Sequence, residues 1–420
     1  MIVYNLGIRI YTLFIRLASL FNPKAKQWVE GRKQVWEKLE KTFGNPQKTV
    51  WFHCASLGEF EQGRPLIEAF RLKYPNYKIL LTFFSPSGYE IRKNYPGADS
   101  IFYLPADTAS NAKRFISITK PDLAIFVKYE FWFNYLKSLN QAHIPLLIVS
   151  GKFRPSQHFF KWYGGFARKG LTHVTRFYVQ DEASVQLLAN IGLNNVTKSG
   201  DTRFDRVASI ATQPIEFEEV KHFCGSYPVL VFGSTWAADE NVFLPFLRTW
   251  HANAKFIIAP HEVHPARIEA LQKTIGLPSC LFSELKQSQT NLPNILIINN
   301  IGKLSQLYKY GTLAYIGGGF GVGTHNILEA ATFGLPVIFG PNHTQFAETV
   351  ELIKAGGAFS ITTAAQFSQV AESLLSNPKK WKACSEICRN FVINNQGATE
   401  LIMNGIDEIL GDNLPSKPIV

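Results

Sequence analysis

The chain has 420 residues, 46% hydrophobic and 18% charged, which is enough for two or three domains and excludes a disordered protein. Its five cysteines show neither a CxxC pair nor a metal-ligand spacing with histidine. This pattern argues against a disulfide-stapled secreted domain and favours a reducing compartment. The net charge is +11, and residues 1–50 hold nine Lys/Arg against three Asp/Glu. The basic start of the chain indicates an acidic partner surface, either a membrane or a nucleic acid.

Residues 1–22 are apolar except for one polar stripe at helical spacing, formed by Asn5, Arg9, Thr12, Arg16 and Ser19. A signal peptide requires an uninterrupted apolar core, and a spanning helix would have to accommodate two arginines. We therefore predict an amphipathic membrane-anchor helix that lies in the interface, followed by a basic flank suited to anionic lipid. A true membrane span and a helix that covers a domain remain the alternatives.

After residue 48 the sequence alternates apolar strands with helices. The predicted strands of the first half are 50–55, 79–84, 100–103, 123–126, 145–149 and 177–179, with helices at 64–73 and 183–191 among those between them. The second half repeats the pattern in the stretches VLVFGST, KFIIAP, ILIIN, LAYIGGG and PVIFG, and residues 381–410 are predicted to be helical.

This alternation predicts an α/β protein with two doubly wound, Rossmann-like domains in tandem and a cleft between them. The predicted domains are residues 23–210 and 211–420, with a linker at about 205–226 and the last helix free to pack back on the first domain. In such sheets ligands bind at the carboxyl ends of the strands, so we expect both sites to face the cleft.

The first strand is followed by Ser56-Leu57-Gly58-Glu59, where a helix begins. The local pattern by itself favours a capping box, in which the glutamate only accepts a hydrogen bond from a backbone N–H. The alternative is a carboxylate that faces the ligand site. Glu130 follows the strand at 123–126 and, by the local pattern, is a solvated or salt-bridged acid.

Residues 313–343 contain five glycines within seven positions: Gly317, Gly318, Gly319, Gly321 and Gly323. We predict a strand, this turn, and then a helix that runs from near Thr324 to Gly334. A glycine turn before a helix N-terminus is typical of phosphate sites, with Glu329 close enough to bind ribose hydroxyls. The alternative is a turn that serves only close packing.

Residues 151–176 carry six Lys/Arg, no acid, and six interleaved aromatic side chains. Such a stretch is found in single-stranded nucleic-acid sites. Together with the predicted anchor helix, it favours a surface for acyl chains and anionic lipid phosphates instead. We therefore predict no nucleic-acid partner.

Several short motifs occur in a fixed order: GR at 31–32, SLGE at 56–59, SPSG at 85–88, LPAD at 104–107, YEFW at 129–132, SGDTRFD at 199–205, GSTW at 233–236, IIAPHEVHPARI at 257–268, GGGFGVGTHNILE at 317–329 and GPN at 340–342. In this order and spacing the chain resembles the Kdo transferases, GT-B glycosyltransferases that add 3-deoxy-D-manno-octulosonic acid (Kdo) to the lipid A precursor. It departs from their usual pattern at Lys152, Arg203 and His261. Lys152 lacks the two-pronged hydrogen bonding of arginine.

The resemblance implies inverting transfer from CMP-Kdo to the 6'-hydroxyl of lipid A precursor (lipid IVA), at the cytoplasmic face of the inner membrane. It implies Glu59 as the general base and Glu130 as a second active-site acid. The predicted donor-binding residues are Ser234, Thr235, His261, Gly319, Gly321, Gly323, Thr324, Asn326 and Glu329. The predicted acceptor-binding residues are Ser56, Gly58, Lys152, Arg154 and Lys161.

A CMP leaving group carries one phosphate, and the sequence shows no DxD motif, so we predict neither a metal nor a cofactor. The alternatives are another GT-B nucleotide-sugar transferase, a UDP-sugar epimerase, or a non-catalytic lipid-binding or nucleic-acid-binding protein. A preference for UDP over CMP would favour the first two, and binding without turnover would favour the third.

Overall fold

The computed structural model of the chain describes residues 1–250, 254–286 and 291–411. The chain divides into two compact units: an N-terminal unit made of Met1–Asp205 and the stretch that begins at Gln396, and a C-terminal unit, Arg206–Asn395. Each unit is built on a seven-stranded parallel sheet with helices between the strands. The predicted fold class, two parallel-sheet Rossmann-like α/β domains, is confirmed.

The N-terminal sheet has the strand order β3-β2-β1-β4-β5-β6-β7. Its strands are β1 Thr49–Cys54, β2 Lys78–Phe83, β3 Ser100–Tyr103, β4 Leu123–Val127, β5 Leu146–Gly151, β6 Arg176–Val179 and β7 Val196–Lys198. The helices of this half of the chain are α1 Ile2–Ala18, α2 Pro23–Glu30, α3 Val35–Phe43, α4 Leu57–Lys73, α5 Pro86–Arg92, α6 Ala109–Thr119, α7 Phe133–Gln141, α8 Gly165–Leu171, α9 Glu182–Ala189 and α10 Thr202–Thr212.

The C-terminal sheet has the order β10-β11-β9-β8-β12-β13-β14. Its strands are β8 Val229–Thr235, β9 Lys255–Pro260, β10 Ser279–Leu281, β11 Ile295–Ile297, β12 Leu313–Ile316, β13 Val337–Phe339 and β14 Ala358–Ser360. The remaining helices are α11 Glu218–Cys224, α12 Ala237–Trp250, α13 Pro265–Ile275, α14 Leu304–Leu307, α15 Leu328–Ala331, α16 Ala347–Ala355, α17 Ala364–Leu375, α18 Pro378–Ile393 and α19 Ala398–Gly411.

Both sheets reverse their strand order at a central strand. In the N-terminal unit β1 pairs with both β2 and β4, and in the C-terminal unit β8 pairs with both β9 and β12. The central strands β1, β4 and β5 are buried along their whole length, because helices cover both faces of a parallel sheet. The crevices between β1 and β4 and between β8 and β12 are therefore where this fold places ligands.

The last helix, α19, packs against α4 and belongs to the N-terminal unit. Asp205 fixes its start, since its two carboxylate oxygens accept hydrogen bonds from the backbone N–H groups of Gly397 and Thr399, at 2.6 and 2.7 Å. The prediction placed this helix in the range 211–420 and left it free to pack back on the first domain. The predicted linker at 205–226 is instead largely helical, because it contains most of α10 and the whole of α11.

Helix α1 is attached to the N-terminal unit through its first turn. The Tyr4 hydroxyl donates to Oδ2 of Asp107 at 2.6 Å, and Asn134 Nδ2 donates to Asn5 Oδ1 at 2.8 Å. The Asp107 carboxylate also accepts hydrogen bonds from the backbone N–H groups of Asn134 and Tyr135, at the start of α7. Asp107 is therefore a structural link between α1 and α7.

The outer face of α1 is apolar and exposed: Ile2, Val3, Leu6, Leu13, Phe14 and Leu17 are each more than half exposed. Arg9 and Arg16 of the predicted polar stripe line a groove of about 850 Å³ together with Trp28 and Lys33. Among the described residues, no helix combines the length and apolarity that crossing a membrane requires.

Candidate functional site

Glu59 lies at the start of α4, directly after β1. The backbone N–H of Ser56 donates to Glu59 Oε2 at 3.1 Å, and the Ser56 hydroxyl hydrogen-bonds to the same oxygen. Within the described part of the chain, no group is hydrogen-bonded to the other oxygen, Oε1. The capping contact is thus present, and it orients the carboxylate while leaving one oxygen available to a substrate. Gly58, beside it, is exposed, and a Cβ there would lie 3.7 Å from the Ser56 Oγ, an ordinary van der Waals contact.

Glu130 follows the neighbouring strand β4 on the other side of the crevice. Its Oε2 accepts a hydrogen bond from Trp132 Nε1 at 2.8 Å and lies 3.5 Å from Nε2 of His53. The Glu130 side chain is 13% exposed, whereas His53 on β1 is fully buried and contacts the Thr82 hydroxyl through Nδ1 at 2.8 Å. Glu130 is therefore not a solvated surface acid, because buried partners hold it at the mouth of the crevice.

Glu59 and Glu130 both lie close enough to the Cys54 thiol to affect its pKa. Burial raises the pKa of the Cys54 thiol, and both carboxylates raise it further. Burial also raises the pKa of Tyr129, with Arg154 opposing and Glu59 among the acids that add to the rise. The carboxyl ends of β1 and β4 therefore bring the two predicted catalytic acids into one electrostatic environment.

A second polar cluster at this end of the sheet surrounds Asp201, which is 7% exposed. Its carboxylate accepts hydrogen bonds from Gln62, Gln180 and Arg203. Burial alone would raise the pKa of Asp201, but the charge and hydrogen bonds of Arg203, with the charge of Lys128, hold it below its ordinary value. Arg203, which departs from the family pattern, is thus paired with a buried acid.

The predicted acceptor-binding cations lie in and beyond the loop that follows β5. Lys152 Nζ is 3.5 Å from Asp181, and Arg154 is exposed. Lys161 is half-buried, and its carbonyl accepts a hydrogen bond from Arg168. The aromatic side chains of residues 151–176 divide into two groups: Phe153, Phe159 and the partly buried Phe160 pack in the core cluster, and Trp162, Tyr163 and Phe166 are exposed. Only the second group can contribute to a lipid-binding surface.

In the C-terminal unit, β8 ends in Ser234 and Thr235, and the turn that follows begins with Trp236. Ser234 has a φ of 54°, a left-handed conformation that is uncommon for a non-glycine residue. The Thr235 hydroxyl is buried without a hydrogen-bond partner. The turn is fixed by Asp239, whose Oδ2 accepts from the backbone N–H groups of Trp236 and Gly318, each at 2.9 Å. One buried acid therefore joins the turn after β8 to the glycine turn after β12.

The three predicted donor-binding glycines have different surroundings. A Cβ on Gly319 would lie 2.5 Å from the backbone of Gly340, so this glycine permits two backbones to pack closely. Gly323 has a φ of 110°, which only glycine adopts readily. Gly321 is exposed and has nothing within 4 Å of its Cβ position. Gly319 therefore supports the interpretation that the turn serves close packing, whereas the exposed Gly321 is open to a ligand.

The helix predicted from Thr324 to Gly334 is wrong. Residues 324–327 are irregular, and α15 is a single turn that begins at Leu328. The backbone N–H groups of Thr324 and His325 are used elsewhere, since they donate to the carbonyls of Asn342 and Gly317. The predicted helix dipole at Thr324 is therefore absent, and any phosphate contact there would come from the turn itself.

Asn326 and Glu329 lie together after the turn, where Asn326 Nδ2 donates to Glu329 Oε1 at 3.3 Å. Burial raises the pKa of Glu329, while Arg206 and Asn326 oppose the rise. A half-buried carboxyl group beside an amide is suited to bind vicinal hydroxyls. His261 is exposed at the end of β9, and its ring stacks on Trp236 with centroids 4.5 Å apart.

Sequence reasoning did not identify His53, Trp132, Trp236 and Asp239 as parts of these sites. His53 carried a weak signal, because it is a polar residue in the middle of the apolar strand β1. Asp239 carried another, since an acid three residues after the residue that precedes a helix, here Trp236, is a capping pattern. Within residues 1–250, 254–286 and 291–411 there is no group of three or more His, Cys, Asp or Glu side chains that could hold a metal ion.

Comparison with known proteins gives a consistent result. Residues 31–206 match the family described as 3-deoxy-D-manno-octulosonic-acid transferase (kdotransferase). The chain is 28% identical to the 3-deoxy-D-manno-octulosonic acid transferase of Rickettsia typhi, with 85% of this chain and 78% of that protein covered. It is 27% identical to the enzyme of the same name from Chlamydophila psittaci, with 88% of each covered.

Among solved structures, the chain is similar to UDP-GlcNAc 2-epimerase from Neisseria meningitidis bound to UDP-GlcNAc. The TM-score is 0.62 at 15% sequence identity, and the match covers 86% of this chain and 100% of the other. At this identity the similarity shows a shared GT-B-like fold and nothing about the reaction.

Proposed function

We propose that this chain, which is similar to Kdo transferases over most of its length, transfers Kdo from CMP-Kdo to the 6'-hydroxyl of a lipid A precursor, lipid IVA, with inversion at the anomeric carbon. The observation that carries this proposal is the carboxylate of Glu59 at the crevice between β1 and β4. One of its oxygens is held by Ser56, and the other has no protein partner within the described residues. A general base requires such an oriented carboxylate with one free oxygen.

In this proposal Glu59 Oε1 accepts the proton of the attacking hydroxyl as the oxygen forms its bond to the anomeric carbon. The bond from that carbon to the CMP phosphate oxygen breaks, and its electron pair leaves with CMP. Glu130, held by Trp132 and His53, lies on the far side of the same crevice. We propose that it contacts the acceptor sugar and helps to align the hydroxyl with Glu59.

The C-terminal unit provides the proposed CMP site. Its supporting features are the turn after β8, the glycine turn after β12, and the Asn326–Glu329 pair. We propose that Ser234, Thr235 and the exposed part of the glycine turn bind the phosphate, and that Glu329 binds the ribose hydroxyls. Preorganised hydrogen-bond donors around the departing phosphate can supply the stabilisation that a metal gives elsewhere.

We further propose that the chain works at the cytoplasmic face of the inner membrane, attached through α1. The exposed apolar face of α1 and the exposed Trp162 and Tyr163 support this idea. The two regions are connected by aromatic contacts, since Tyr4 of α1 lies 6.0 Å from Phe166, ring centre to ring centre. Lys161 and Arg154, from the same stretch as Trp162, would meet anionic headgroups or the phosphates of the acceptor.

The direct test is incubation of the full-length chain with CMP-Kdo and tetra-acylated lipid A precursor, with the product mass measured. A mass increase by one or more Kdo residues is the expected result. Binding of CMP and UDP is compared by thermal shift, because a ligand of the folded state raises its stability. Stabilisation by UDP and not CMP, with no Kdo product, would favour another GT-B enzyme. Binding of the lipid with no turnover of either donor would favour a binding protein.

The Glu59→Gln variant tests the base itself. Glutamine can still accept the hydrogen bond from the Ser56 N–H but cannot take a proton. We expect unchanged stability and CMP binding, with turnover lower by roughly 10²- to 10⁴-fold, the usual size of general-base catalysis. Glu68→Gln is the matched control, because Glu68 is on the same helix and forms an exposed ion pair with Arg64. A Glu59→Gln enzyme with turnover within about threefold of wild type would refute the assignment.

A further inference from the structure

Three aromatic rings lie together at the carboxyl ends of the strands in the C-terminal unit. Trp236 follows β8, His261 follows β9, and His325 follows the glycine turn after β12. The His261 ring is 4.5 Å from the Trp236 ring and 4.7 Å from the His325 ring, in both cases nearly parallel. This ring cluster occupies the crevice edge where the fold places a ligand.

The hydrogen bonding within the cluster determines where His325 carries its proton. Trp236 Nε1 lies 3.0 Å from His325 Nε2. An indole nitrogen can only donate, so Nε2 must be the acceptor and must be unprotonated. The neutral ring then carries its hydrogen on Nδ1. The Cδ2–Nε2 edge of the same ring packs against Gly318, where a Cβ would come within 3.1 Å of it.

Nδ1 of His325 is the free end of this arrangement. Among the residues that the structure describes, no group accepts a hydrogen bond from it, and it is not one of the buried atoms that lack a partner. A group without a partner that is not buried is in contact with solvent. The N–H on Nδ1 is therefore available to a ligand at the glycine turn.

The surroundings also keep the ring neutral. Burial lowers the pKa of His325 to about 4, and the neighbouring His261 contributes in the same direction, while Asp239 opposes. Burial lowers the pKa of His261 as well, against the effect of Glu262. Asp239 is occupied by Tyr315 and two backbone N–H groups, so it forms no ion pair with His325.

We propose that Trp236 is a positioning residue: its indole N–H fixes His325 as the neutral Nδ1–H tautomer, which donates a hydrogen bond to a phosphate oxygen of the nucleotide. The proton stays on Nδ1 throughout. A neutral donor contacts the phosphate oxygen equally well across the pH range in which an ordinary histidine would titrate. The identity of the ligand rests on the proposed function, whereas the tautomer does not.

The tautomer is measured by NMR on the ligand-free full-length chain labelled with ¹⁵N-histidine, with the His325 signals identified by their loss in His325→Gln. In the wild type we expect the Nδ1–H pattern from about pH 5 to about pH 8, a range in which an unperturbed histidine titrates. In Trp236→Phe, which keeps an aromatic ring but lacks the N–H, we expect mixed tautomers and a titration closer to the ordinary value. Trp250→Phe, at the other end of α12, is the control, since Trp250 donates to Glu372.

CMP affinity is measured on the same variants by calorimetry. In Trp236→Phe, affinity should fall in proportion to the population of the Nδ1–H tautomer, a roughly two- to fivefold weakening, with no change in Trp250→Phe. If Trp236→Phe does not fold, His325→Gln and His325→Leu replace it in the binding experiment. Glutamine keeps an N–H donor and leucine does not, so the Leu variant should bind CMP more weakly.

Three outcomes separate the parts of the proposal. A wild-type His325 that carries its proton on Nε2 would overturn the assignment of Trp236, whatever the chain binds. A wild-type chain with the Nδ1–H tautomer and no affinity for CMP would refute the proposed ligand and the proposed function, with the role of Trp236 intact. Equal CMP affinity in wild type, His325→Gln and His325→Leu would remove His325 from the phosphate contact.

Discussion

One of the hydrogen bonds that attach α1 to the N-terminal unit can be removed with little change in the size of a side chain. The Tyr4 hydroxyl donates to the buried carboxylate of Asp107 at 2.6 Å, and Asp107 is 1% exposed. A hydrogen bond to a charged group contributes about 1.5–3 kcal/mol. Tyr4→Phe should therefore lower the free energy for opening α1 by that amount, which is roughly a 10- to 150-fold fall in hydrogen-exchange protection of its amides.

The same interaction makes a prediction about pH. Burial raises the pKa of Asp107 to about 6, although the hydrogen bonds from Tyr4, Asn134 and Tyr135 oppose the rise. Because the folded-state pKa lies above the unfolded value, the contribution of this group to stability is complete below about pH 4 and is lost as the pH rises through about 6. The Tyr4 bond acts against that loss, since it favours the ionised form. The effect of Tyr4→Phe should thus be larger at pH 8 than at pH 5.

Tyr11→Phe is the matched control, because it removes a hydroxyl from the same helix that has no hydrogen-bond partner within the described residues. Exchange is measured by mass spectrometry on α1 peptides without lipid, at both pH values. A Tyr4→Phe effect within about threefold of the Tyr11→Phe effect, or one that is larger at pH 5 than at pH 8, would refute the reasoning.

Three further predictions concern the membrane, the donor and the metal. Deletion of residues 1–22 should leave a folded protein that binds anionic liposomes more weakly, whereas full binding at both low and high salt would contradict the anchor. Asn326→Ala and Glu329→Ala should each weaken CMP binding by roughly tenfold, the loss of one good hydrogen bond, with the melting temperature as the check on folding. Activity should survive EDTA, and activity that EDTA abolishes and magnesium restores would overturn the metal-free proposal.

Sequence patterns located the central strands and the edge strand β3, and they missed the other three edge strands. The strands β1, β4 and β5 are continuous apolar runs, because a parallel strand covered on both faces must be apolar throughout. The strands that were missed, β7, β10 and β14, have three residues each and lie at the edges of their sheets. An edge strand pairs on one side only and can be short and polar, so no apolar run marks it.

In the candidate site, local contacts could be predicted from the sequence and long-range contacts could not. Glu59 could be found from the sequence because the strand-to-helix turn that holds it is local. The contact of His53 with Glu130 could not, since it joins two strands that are adjacent in the sheet and about 75 residues apart in the chain. The helix expected after Gly323 failed for a related reason. Local propensity favoured it, but the N–H groups of Thr324 and His325 bond to distant carbonyls instead.

Buried acids explain why irregular segments in this protein can be held firmly. Asp239 has both oxygens occupied, by the Tyr315 hydroxyl and by the N–H groups of Trp236 and Gly318, and Asp107 is occupied in a similar way. A buried carboxylate is costly unless its oxygens are hydrogen-bonded, so each acid requires its loops to present N–H groups in one arrangement. The loop N–H groups in turn require the carboxylates, because the loops offer them no partners in helix or strand hydrogen bonds. Loops held by buried carboxylates show no hydrophobic periodicity in the sequence. Periodicity therefore does not reveal residues such as Asp239, although these residues determine the shape of the site.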